Sequence, residues 1–83
     1  MRRGRPIITI TMTEFGRLIR EYRGERTLRE AALACGIDFG LLGQIESGRI
    51  KMPRRETRDK IIAGLNIPRT KVAMAIAGDM VPA

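Results

Sequence analysis

Residues 27–49, TLREAALACGIDFGLLGQIESGR, constrain this chain more than any other stretch. They predict two short helices joined by a tight glycine turn. Ala32 is small where two helices must touch. Gly36 stands four residues later, where the chain turns and a Cβ is costly. Leu42 and Ile45 lie three residues apart and so share one inward face of the second helix. Ala31, Cys35 and Ile37 are small or apolar beside the turn. The first helix of the pair, helix 2 of the chain, is expected over about 28–35, and helix 3 over about 39–47. This is helix-turn-helix spacing, in which the second helix can enter a DNA groove.

At 83 residues the chain has room for one small domain. Aromatic residues are 4% and Trp is absent, so the core must be aliphatic and helical. The single cysteine excludes an internal disulfide and fits a reducing cytosol. No apolar run reaches the roughly 18 residues that span a bilayer. Ile7-Ile8-Thr9-Ile10 is too short and too Thr-rich for a signal-peptide core. The net charge is +7, and 13 of the 16 basic residues are Arg, the side chain suited to phosphate and guanine edges. A basic, Arg-rich domain points to nucleic acid, although a solvated basic surface would give the same totals.

Along the chain, residues 1–12 form a basic N-terminal arm and residues 13–83 the folded domain. The alternation IITITM over 7–12 permits a short strand, which would need a partner such as the same strand of a second subunit. Thr11 with Glu14 has capping-box spacing, and Thr13 competes as the N-cap of helix 1. Helix 1 turns Phe15, Leu18, Ile19 and Tyr22 inward, and Gly24 weakens its end. Thr27 caps helix 2 with Glu30 completing a capping box. Asp38 caps helix 3 and Gly48 ends it. Pro53 opens the next helix, over about 54–65. Pro68 separates it from a fifth helix over 69–77, with Gly78 and Pro82 marking a frayed end.

The motif Thr27-Leu28-Arg29-Glu30, Ala32, Gly36-Ile37 and Gln44-Ile45-Glu46-Ser47-Gly48-Arg49 resembles the lambda repressor-like helix-turn-helix family of the Xre or Cro type. Residues 15–23 resemble that family's first helix, and Pro53 with residues 61–67 its fourth, so the resemblance covers about residues 14–67. It implies an all-α, compact five-helix DNA-binding domain. It also implies a cytoplasmic, nucleoid-associated protein encoded by a bacterium or phage.

With Leu42 and Ile45 inward, the opposite face of helix 3 carries Phe39, Gly40, Gly43, Gln44 and Ser47. In the resembled family these positions enter the major groove. Gln44 can read adenine bidentately, and Phe39 can pack on a thymine methyl or serve as a core residue at the helix start. Gly40 and Gly43 permit close approach but read nothing, where the family usually has polar residues. Thr27 and the first amides of helix 2 can hold a phosphate. Leu28 stands where many relatives carry Gln, which leaves the phosphate grip there to Arg29. Arg49, Lys51, Arg54 and Arg55 match the family's phosphate-gripping loop. Glu46 is implied to pair with an Arg of helix 1, Arg23 first and Arg20 second. In the arm, Arg2, Arg3, Gly4 and Arg5 before Pro6 resemble an AT-hook, a minor-groove grip. An unstructured tail is the competing reading.

Chemistry elsewhere is sparse. There is no His, the acidic residues form no metal-spaced cluster, and Cys35 falls on a buried helix position. No catalytic residue, metal or cofactor is expected, nor a small-molecule ligand. The sequence therefore predicts a sequence-specific double-stranded DNA-binding regulator. It would be a repressor acting as a homodimer, paired through Val72 to Val81 or through the 7–12 strand. Two alternatives remain: a helix-turn-helix protein-interaction module, antitoxin-like or a phage regulatory subunit, and an architectural binder of A·T-rich DNA.

Overall fold

The computed structural model describes residues 12–80. The protein is an all-α, five-helix domain: α1 Glu14–Arg23, α2 Leu28–Cys35, α3 Phe39–Ser47, α4 Arg55–Leu65 and α5 Arg69–Met80. No strand occurs among the described residues. The arm residues 1–5, all of the 7–12 stretch except Met12, and Val81 lie outside them.

Local chemistry sets the boundaries. Thr13 caps α1, its Oγ1 accepting from the Gly16 amide at 2.8 Å, while Thr11 lies outside the described residues. Thr27 and Glu30 exchange two hydrogen bonds in a capping box at α2. Asp38 Oδ2 accepts from the Gly40 and Leu41 amides at α3. Gly36, at φ 73°, turns the chain out of α2 while the Ile37 amide reaches back to the Ala32 carbonyl, a Schellman turn that a Cβ would strain. Asn66 plays the same part after α4, with Ile67 bonded to Ile62.

α5 runs through Gly78 to Met80, beyond the expected end at 77. The reason lies in the tertiary structure. Asp79 accepts from the backbone amides of Glu14 and Phe15, at 2.7 and 3.1 Å. The last turn of α5 thus satisfies the free donors at the start of α1, and that tie offsets the low helix propensity of Gly78.

Phe15 and Ile19 of α1, Leu42 and Ile45 of α3, and Ile61 of α4 are fully enclosed. Each stabilises the fold by about 1.5–3 kcal/mol through burial. Ala31, Ala32 and Cys35 are small enough for α2 to lie close against α3 and α4. Two glycines set the tightest crossings. A Cβ on Gly16 would stand 2.5 Å from the Glu46 carbonyl oxygen, and one on Gly64 would stand 2.6 Å from Cys35 Cα. Only bare backbone permits α1 to press on the end of α3, and α4 on the end of α2.

Candidate nucleic-acid interface

α3 is anchored on its inner face and open on its outer one. Leu42, Ile45 and Glu46 are buried, while Phe39, Gly40, Gln44 and Ser47 are exposed and Gly43 is half-buried. The Leu28 Cδ1 atom lies 3.5 Å from where a Gly43 Cβ would stand, so the start of α2 covers one side of that glycine. Gln44 is the one long polar side chain on the open face; no side-chain hydrogen bond to another described residue engages it.

Glu46 carries a negative charge at the end of this helix, but it faces the protein. Its carboxylate accepts from Arg23 Nη2 at 2.8 Å and Nε at 3.0 Å, and from Arg20 Nε at 3.3 Å. The Arg23 side chain is 17% exposed and that of Glu46 7%. The hydrogen bonds to Glu46 raise the Arg23 pKa above the ordinary arginine value, against a smaller opposing effect of burial. Arg20 is 65% exposed and adds little. The ion pair and the close approach at Gly16 together fix the last turn of α3 on α1.

The basic residues after α3 have a different environment. Arg49, Lys51, Arg54 and Arg55 are exposed, and none forms a salt bridge to another described residue. Arg54 is the N-cap residue of α4 and makes no side-chain cap. Met12, where the arm joins the domain, lines an open groove of about 920 Å³ with Lys51, Met52 and Arg58. The root of the arm therefore sits beside the cationic loop.

At the start of α2, the amide and hydroxyl oxygen of Thr27 are both engaged with Glu30. What remains for an anion is the Thr27 hydroxyl hydrogen and the amides of Leu28 and Arg29. Arg29 is not free in solvent: its guanidinium carbon lies 4.3 Å from the centroid of the Phe39 ring. Sequence spacing gave no sign of this stacking, which forms across the turn between two helices. Phe39 is 42% exposed and takes no part in the enclosed core.

Cys35 is buried, and burial pushes its thiol pKa up, so it behaves as a small apolar filler. Among the described residues no group of three acidic, His or Cys side chains is placed to hold a metal. No described helix is long and apolar enough to cross a membrane. Comparison of the chain with protein-family models, curated proteins and solved structures finds no match.

Proposed function

We propose that this domain binds double-stranded DNA with α3 in the major groove and regulates transcription, most simply by occupying an operator. The observation that carries this reading is the two-faced character of α3. Leu42, Ile45 and Glu46 are turned inward, Gln44 and Ser47 stand exposed on its outer face, and cations without a salt bridge to another described residue follow directly at 49–55. Gln44 reads adenine, Ser47 assists, and Gly40 and Gly43 bring the helix backbone close to the base edges. Arg49, Lys51, Arg54 and Arg55 grip phosphates. The arm, rooted beside Lys51, adds a minor-groove hold through Arg2, Arg3 and Arg5.

The reading includes a homodimer on a roughly palindromic site, with recognition helices about 34 Å apart. Met74 of α5, 75% exposed, favours pairing through that helix. Such a protein works in the cytoplasm, at the nucleoid.

The test is selection of bound duplexes from random DNA, followed by titration at several salt concentrations. A preferred palindromic sequence with steep salt dependence is the expected result. Steep dependence without preference beyond A·T content would replace this reading with an architectural one. Absence of binding even below about 100 mM salt would point to a protein-interaction module.

A further inference from the structure

We propose that Arg29 and Phe39 form one composite base-reading unit, which makes Arg29 a specificity-determining residue rather than a phosphate anchor. This rests on the DNA-binding reading above and deepens it. Arg29 is the second residue of α2 and Phe39 the first of α3. The fold holds the guanidinium carbon over the ring, 4.3 Å from its centroid, across the turn between the two helices. Both are exposed.

The acids nearby do not compete for the cation. Glu30 is turned onto the Thr27 amide, and Asp38 onto the amides of Gly40 and Leu41. Arg29 makes no salt bridge to another described residue. Guanidinium groups lie flat on aromatic faces in such contacts, and one that does keeps its N–H donors around its edge, pointing away from the ring. That planar fork matches the O6 and N7 acceptors of guanine. Stacking on Phe39 also limits the rotamers of a long side chain, so less freedom is lost on binding. The uncovered part of the ring is apolar and suits a thymine methyl. The unit therefore reads a thymine adjacent to a guanine. α3 has need of such a supplement, because Gly40 and Gly43 leave Gln44 as its one long reader.

The experiment is selection of bound duplexes from random DNA by the full chain and by its Arg29→Lys, Arg29→Gln and Phe39→Leu variants. Circular dichroism checks that each remains folded. The wild-type chain is expected to select a thymine next to a guanine in each half-site. Arg29→Lys keeps the charge but loses the fork, and should lower discrimination at the guanine by about tenfold or more. Phe39→Leu should relax both positions. The proposal is overturned if Arg29→Lys and Phe39→Leu select the wild-type site unchanged while Arg29→Gln weakens all sequences alike. A salt slope reduced by about 0.9 would then mark Arg29 as a phosphate ligand. A wild-type chain that binds no duplex overturns the DNA reading itself, and this unit with it.

Discussion

Arg23 holds Glu46 in a two-pronged ion pair, Nη2 to Oε2 at 2.8 Å and Nε to Oε1 at 3.0 Å, and so ties α1 to the last turn of α3. The carboxylate is buried, and removing it leaves a largely enclosed cation without a counter-charge, held only by its Nη1 bond to the Arg26 carbonyl at 2.7 Å. Glu46→Ala should cost about 2–3 kcal/mol in urea unfolding. That lies at or just below the low end for buried pairs, because Arg23 can swing toward solvent. Arg20→Ala should cost no more than about 0.5 kcal/mol, since that partner is exposed. Equal losses from the two substitutions would contradict this division. The Arg23 pKa is raised in the fold, so its contribution is complete below the unfolded value and lost only above it, far into alkali.

A loss of stability nearer pH 9 is expected from a different source, Cys35. Burial raises its pKa above the ordinary 9.0. The folded state then holds a proton that the unfolded state releases. The sign follows: the contribution is whole below the unfolded value and disappears as pH rises from there through the folded value. Stability measured from pH 7 to 10.5 or so should fall more steeply for the wild-type chain than for Cys35→Ala. Parallel curves would show that the thiol is not the titrating group.

The glycines divide into two kinds. Gly16→Ala and Gly64→Ala each drive a Cβ into backbone atoms, at 2.5 and 2.6 Å, and should destabilise by about 1–3 kcal/mol despite better helix propensity. At Gly43 the nearest atom is 3.5 Å away, an ordinary van der Waals separation. Gly43→Ala should stabilise by up to about 1 kcal/mol, raising Tm by about 4–8 °C. The same methyl should weaken DNA binding if α3 approaches bases through its backbone. Thermal melts and a binding titration of the three variants check both halves.

The residues proposed to read bases and those proposed to grip phosphates should separate by their salt behaviour. Gln44→Ala should relax preference at one base position by about 1–3 kcal/mol with the salt slope unchanged. Deleting residues 1–5 should weaken binding on every sequence and flatten the slope by about 0.9 for each phosphate no longer neutralised. Mobility-shift titrations at four or more salt concentrations distinguish the two patterns. An unaltered affinity after the deletion would remove the arm from the interface.

Much of the fold was legible because its signals are local. The Thr27–Glu30 box, the Asp38 cap, and the turns at Gly36 and Gly48 each depend on residues a few positions apart. The inward positions Leu42 and Ile45 followed from helical spacing alone. Less visible were features made by distant parts of the chain. Gly78 looked like a helix end because nothing nearby reveals that Asp79 caps a helix 64 and 65 residues away. The Arg29–Phe39 stack depends on the crossing of α2 and α3, which periodicity does not supply. The close approaches at Gly16 and Gly64 are likewise properties of helix pairs. The cations at 49–55 were readable as a charged run, whereas their lack of partners emerged only with the neighbours in place.

The bond from the Glu14 amide to Asp79 also has a topological consequence. It brings the two edges of the helical body to one corner, next to Met12 and Lys51. A short linker could join those edges, and new chain ends could be opened at Gly24, an exposed connection. In such a circular permutant the five-helix body would persist, while a bulky group placed at that corner would crowd Lys51. Tags for immobilisation therefore belong at the permuted ends.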